Sequence, residues 1–142
     1  MRQFTTIEES IRIMEMGFPK DTARAYRRKD VFCKLDYSEC WINHVEILQD
    51  SDDCGNLEKM KDWEGKMPAW SFDTILLLLP QQISFGIEQQ RFVWNTYYYK
   101  GNCVVEYIGE KDKEPGITFR TNSFIKSAYL MLVWLYDNNK LK

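Results

Sequence analysis

The stretch Arg91-Phe92-Val93-Trp94-Asn95-Thr96-Tyr97-Tyr98-Tyr99-Lys100-Gly101-Asn102-Cys103-Val104-Val105-Glu106-Tyr107-Ile108 decides the fold. Residues 91–99 are rich in aromatic and β-branched side chains, which suit a pleated, half-buried surface. Gly101-Asn102 reads as a tight turn, and residues 103–108 return as a second strand. A two-residue turn there sets Tyr98 against Val105, Thr96 against Tyr107 and Tyr97 against Glu106. Cross-strand pairs of this kind each contribute a few tenths to about 1 kcal/mol.

Strands are predicted on both sides of this ribbon. Ile83-Ser84-Phe85-Gly86-Ile87 alternates apolar with small residues, and Ile117-Thr118-Phe119 adds an edge. Helices lie further out. Ser71 caps the run Phe72 to Leu79, because its hydroxyl can accept from a backbone N–H that has no partner in the first turn. Pro80 stops that run. Thr5-x-x-Glu8 and Thr6-x-x-Glu9 are overlapping capping boxes ahead of Ile7, Ile11 and Met14, with Gly17 as the stop, so a helix is predicted over 6–16. Thr121, Asn122 or Ser123 caps a last helix over 122–137. Phe124, Ala128, Met131, Leu132 and Leu135 share one face of it, and Tyr129, Leu130, Val133, Trp134 and Tyr136 make it apolar nearly all round. A second short helix is predicted from Asp21 or Thr22 to Arg28. Val31 to Leu35 reads as a strand and 49–66 as a polar, turn-rich loop. Tyr37 to Leu48 fits both a helical stripe of Trp41, Val45 and Leu48 and a strand alternation of Trp41, Asn43, Val45 and Ile47, and its β-branched and aromatic content favours extended structure.

Strands clustered between helices predict an α+β fold. In it, an antiparallel sheet of three to five strands, centred on residues 83–108, carries the helices at 6–16, 71–79 and 122–137 on one face. A length of 142 residues suits a single globular domain spanning 1–142 with a core of its own. The expected core is Ile7, Ile11, Met14, Trp70, Ile75, Leu76, Leu79, Trp94, Val105, Ala128, Leu132 and Leu135.

Composition narrows the function classes. A net charge of −2 argues against a general nucleic-acid binder. Arg24, Arg27, Arg28 and Lys29 form the one basic cluster, read as a solvated helix end; through Arg24, Arg27 and Arg28 it is also the basis of an alternative reading, a weak single-stranded nucleic-acid binder. The N-terminus lacks an apolar signal core. The most apolar stretch, Ala128 to Tyr136, is less than half the roughly 20 residues a spanning helix needs. A cytoplasmic protein with reduced thiols and no membrane partner is the expectation.

The chemistry-bearing residues are sparse. Cys33, Cys40, Cys54 and Cys103 form no C-x-x-C pair, and His44 is the one histidine, so no metal site is expected. Cys40 and His44 are four residues apart. They are the basis of an alternative reading as a small cysteine-dependent enzyme, with Glu46 or Asp36 orienting the histidine. Asp50-Ser51-Asp52-Asp53-Cys54-Gly55-Asn56 resembles a calcium loop, but its twelfth position is Lys61 where the EF-hand needs a glutamate. No phosphate-cradling, dinucleotide, zinc-protease or nucleophile-elbow motif is present, so no catalytic or cofactor-binding residue is assigned and no cofactor is expected.

Three segments resemble short uncharacterised proteins encoded in prophages and mobile elements of anaerobic gut bacteria. They are Phe4-Thr5-Thr6-x-Glu8 ending Met16-Gly17-Phe18, the central Pro68-Ala69-Trp70-Ser71 with its leucine-rich helix, and Phe124 to Leu132 followed by Trp134-Leu135. Together they cover about half the chain, and residues 31–66 are longer than in such proteins. The resemblance implies no activity. With the excess of aromatic surface, it leads to the expectation of a non-enzymatic accessory or protein-interaction protein of a mobile genetic element. Its contact surface would comprise Tyr97, Tyr99, Tyr129 and Trp134, with a protein or a second copy as partner and nucleic acid disfavoured.

Overall fold

The computed structural model describes residues 3–29, 41–47, 63–86 and 89–141. The predicted strand at 31–35, the acidic loop at 50–56, and Cys33, Cys40 and Cys54 lie outside them. The chain is α+β and divides into two compact units, Phe4–Thr74 and Ile75–Lys142.

In the first unit, helix α1 spans Ile7–Glu15. Thr6 caps it as a full capping box: the Glu9 N–H donates to Thr6 Oγ1 at 3.1 Å, and the Thr6 N–H donates to Glu9 Oε1 at 2.9 Å. A 3-10 turn at Lys20–Ala23 leads into β1 (Ala25–Lys29), which is flanked by β2 (Trp41–Ile47) and β3 (Lys66–Pro68) in an antiparallel sheet of order β2-β1-β3. The predicted helix through Arg28 is therefore a strand. Its thin apolar content could not hold a helix to the core, and Arg24 at φ 59° breaks the helical path.

The buried face of α1 is also not the predicted one. Glu9, Ser10 and Ile13 are buried, whereas Ile7, Ile11 and Met14 are half-buried. Polar contacts set this rotation. Buried Thr5 and Ser10 share a hydrogen bond at 2.7 Å, and Thr5 brackets Trp70: its N–H donates to Trp70 O at 2.8 Å while Oγ1 accepts from the Trp70 N–H at 3.0 Å. The Trp70 indole is fully buried and donates to Thr22 Oγ1 at 3.0 Å.

Helix α2 spans Phe72–Leu78, and Ser71 Oγ accepts from the Thr74 N–H at 3.3 Å, as its cap position predicts. Ile75 and Leu79 are buried, while Leu76 is half-buried and Leu77 is 73% exposed.

In the second unit, β4 (Gln82–Phe85), β5 (Gln90–Tyr99), β6 (Asn102–Gly109) and β7 (Pro115–Thr121) form an antiparallel sheet in chain order, and helix α3 spans Phe124–Asp137. The predicted hairpin is present, with its register moved. Tyr99 pairs with Asn102, Thr96 with Val105 and Tyr97 with Val104, so the turn residues are Lys100 and Gly101 rather than Gly101 and Asn102. Both have positive φ, 50° and 81°, as in a type I′ turn. The shift changes each pairing by two positions. Side chains alternate with period two, so every residue keeps its face while changing its neighbour.

Lysine is a poor choice at the first positive-φ position, where asparagine is preferred. Lys100→Asn is expected to raise stability by about 0.5 kcal/mol, read from urea midpoints at unchanged slope.

Helix α3 packs on β6 and β7, held at its start by Ser123, whose Oγ accepts from the Lys126 N–H, and by Ser127, whose hydroxyl donates to Cys103 O at 2.6 Å and shares a hydrogen bond with Thr121 Oγ1 at 2.8 Å. Ile125, Ala128, Met131, Leu132 and Leu135 form its buried stripe. Against them lie Cys103, Val105 and Tyr107, all on the sheet face that Thr121 shares. Among the expected core residues, Trp70, Ile75, Leu79, Val105, Ala128, Leu132 and Leu135 are buried, and Trp94 is half-buried. Among the described residues no helix is long and apolar enough to cross a membrane.

Tyr107 is fully buried and its hydroxyl donates to Pro80 O at 2.6 Å. Burial disfavours the phenolate and pushes its pKa well above the usual tyrosine value. The folded state thus holds this proton more tightly than the unfolded state does. The associated stability is complete below about pH 10, the unfolded value, and falls as pH rises beyond it. A pH series of urea melts is expected to show that alkaline loss, and Tyr107→Phe to lessen it.

Candidate interaction face

Strand alternation gives the second unit's sheet two unlike faces. One is under α3. The other carries rows of side chains running across the strands. Tyr97, Val104 and Arg120 make one row, and Asn95, Glu106 and Thr118 the next. Tyr99 and Asn102 lie at the hairpin end.

The centre of this face is closed and its border is open. Val104 is 1% exposed between Tyr97 and Arg120. Glu106 is buried too, and its carboxylate accepts from Asn95 Nδ2 at 3.4 Å and from Thr118 Oγ1 at 3.1 Å. A buried carboxylate needs such donors to offset lost hydration. With one donor from each neighbouring strand, Glu106 is fixed in place as a floor. Tyr97 is half-buried beside it, and Tyr99 is 57% exposed at the tip. Lys100 Nζ lies 5.2 Å from the Tyr99 ring centre, a cation–π distance.

The four residues named from the sequence do not form one surface. Tyr97 and Tyr99 stand together on this face. Tyr129 and Trp134 are both half-buried on α3, across the sheet. Five positions apart on a helix, they diverge by about 140°. Lys126 Nζ already lies 5.5 Å from the Tyr129 ring centre. Glu106 and Asn95 fall on the Tyr97 face in either hairpin register, while Thr118 and Arg120 reach it through the β6–β7 pairing, which the β5–β6 turn does not set. Gly101 at the second turn position, in the manner of Asn-Gly, is the signal that sets the β5–β6 register, placing Val104 rather than Glu106 directly opposite Tyr97.

The other candidates are dispersed. Arg24 is exposed, but Arg27 is buried in β1, where its Nε donates to Asn43 O at 3.4 Å. Burial lowers the Arg27 pKa, opposed by the carboxylates of Glu8 and Glu9. Arg28 pairs with Glu46 at 2.9 Å, contacts the Tyr26 hydroxyl at 3.2 Å and sits over the Tyr26 ring. The solvated helix end expected there is replaced by a strand that turns these arginines to different tasks. His44 is exposed on β2, and its proposed partner Cys40 is outside the described residues. Cys103 is buried in β6. Among the described residues no group of three His, Cys, Asp or Glu side chains is placed to hold a metal ion.

An open cleft of about 660 Å³ lies at the other end of the sheet, lined by Gln89, Gln90, Arg91, Glu110, Lys111 and Asp112, all exposed. Asp112 folds back over Gly109, where any Cβ would collide with its carboxylate. It accepts from the Glu114 N–H at 3.0 Å and from Gln90 Nε2 at 3.1 Å, and these bonds hold its pKa below the usual carboxylate value. The carboxylate is occupied in shaping the loop. The cleft walls are wet, so they lack the desolvation that sharpens a reaction centre.

No family model matches the chain, and neither a curated protein nor a solved structure matches it.

Proposed function

We propose that this chain is a non-enzymatic interaction protein, accessory to a mobile genetic element, which binds a protein partner through the tyrosine face of β5 and β6. The observation that carries the reading is the pairing of Tyr97 and Tyr99 on the sheet face opposite α3, over a floor of Val104 and Glu106. Tyrosine supplies large contact area at little entropic cost, and it anchors interfaces best beside rigid neighbours. The hydrogen bonds to Glu106 provide that rigidity. What supports the mobile-element setting is the resemblance of the three segments described above.

Site-specific photocrosslinking in the native host tests the reading. A photoreactive residue at position 99 is expected to capture one discrete protein, and the same residue at position 136, near the end of α3, is not. Equal capture from both positions, or none from position 99, would remove the proposal.

A further inference from the structure

Carboxylates are segregated along the second unit. The hairpin end gathers the β5–β6 turn, the end of β7 and the first turn of α3, because Cys103 pairs with Thr121 and Val104 with Arg120. Lys100, Arg120 and Lys126 stand there, Lys126 against Tyr129. No carboxylate of this unit's described residues does. Glu110, Asp112 and Glu114 lie in the turn at the opposite end, Asp137 at the far end of α3, and Glu106 is buried inboard. The opposite end carries cations too, Arg91, Lys111 and Lys113, but mixed with those carboxylates, so among this unit's described residues the hairpin end carries cations alone, in a chain whose net charge is −2. The exposed tyrosines lie at the same end as Lys100 and Arg120.

We propose that the hairpin end binds an acidic segment of a partner protein, its carboxylates meeting Lys100 and Arg120 and its apolar side chains lying on Tyr97 and Tyr99. This rests on the interaction reading above and adds the chemistry of the partner. Two exposed cations flanking a tyrosine pair match a short run of carboxylates interspersed with apolar residues. They match a polyphosphate less well, since a nucleic acid is held by many phosphate contacts and Glu106 sits beneath this face. Opposite potentials steer such partners together and fix their register.

The experiment is fluorescence anisotropy on the full chain with four labelled probes. These are a peptide of Asp and Glu interspersed with Leu and Phe, the same peptide with Gln for each acid, the same with Lys, and a single-stranded oligothymidylate. The acidic peptide is expected to bind at least about tenfold more tightly than its Gln counterpart, and the Lys version not at all. Arg120→Glu and Lys100→Glu are each expected to weaken it by about tenfold, as is raising salt from about 50 to about 300 mM. Circular dichroism of each variant shows that the fold is retained, and Arg91→Glu, at the far end of the same face, should leave binding unchanged.

Equal binding of the Gln peptide, lost in Tyr99→Ser, would overturn the acidic partner and leave the interaction reading standing. Preferred binding of the oligothymidylate would overturn both. Failure of every probe would overturn the acidic partner, with photocrosslinking at position 99 then deciding the interaction reading by itself.

Discussion

Trp70→Ala is expected to lower the unfolding free energy by about 3–5 kcal/mol, the usual cost of emptying a large buried aromatic site. Trp70 is fully buried, and it is both a packing and a polar hub. Its backbone is held by Thr5 in both directions, and its indole N–H donates to Thr22 Oγ1. Alanine keeps the backbone bonds, loses the ring and leaves a cavity in the Phe4–Thr74 unit. Trp70→Phe separates these contributions. It keeps most of the ring and loses the indole bond, while Thr22 still donates to Pro19 O, so the expected cost is nearer about 1–2 kcal/mol. Urea denaturation of both variants provides the comparison. A loss below about 1 kcal/mol for Trp70→Ala would contradict the packing described for this unit.

Leu132→Ala is expected to cost about 2–5 kcal/mol, and Leu130→Ala, two residues away, markedly less. Leu132 is fully buried in the stripe that α3 sets against β6 and β7, whereas Leu130 is only half-buried off that stripe. From the sequence, α3 is apolar nearly all round, and composition alone does not choose between these two leucines. Position on the helix does. Equal losses at both positions, read from the same denaturation experiment, would mean that the helix is oriented differently on the sheet.

Much of the architecture was legible because local chemistry specifies it. Thr6 with Glu9, Ser71 and Ser123 cap the helices the sequence assigns to them, since a side-chain oxygen three residues ahead of an unpaired N–H is a short-range signal. The strands from Gln90 to Gly109 were legible from their β-branched and aromatic content.

What the sequence did not reveal depends on contacts between distant residues. The rotation of α1 comes from Thr5 gripping Trp70, 65 positions away, and no pattern inside the helix records that bond. The strand Ala25–Lys29 reads locally as a weak helix, and only its pairing with Trp41–Ile47 and Lys66–Pro68 makes it a strand.

The interaction face was half legible. Tyr97 and Tyr99 stood out as aromatic residues on one side of a strand. Which residue stands directly opposite each tyrosine follows from hairpin register, which hangs on whether Lys100-Gly101 or Gly101-Asn102 makes the turn, and Thr118 and Arg120 follow from the pairing of β6 with β7. Tyr129 and Trp134 were grouped with them on exposure expected from helix composition. Their separation needed the knowledge of which sheet face α3 covers.

The most direct measurement of the central claim is tyrosine nitration followed by mass spectrometry, on the free chain and with the protein captured from position 99 bound. In the free chain Tyr98 and Tyr99 should react readily, Tyr97 more slowly and Tyr107 least, in keeping with their exposure. On binding, Tyr97 and Tyr99 should become protected while Tyr136 continues to react. Protection of Tyr136 with Tyr99 still reactive would place the partner elsewhere and contradict the account.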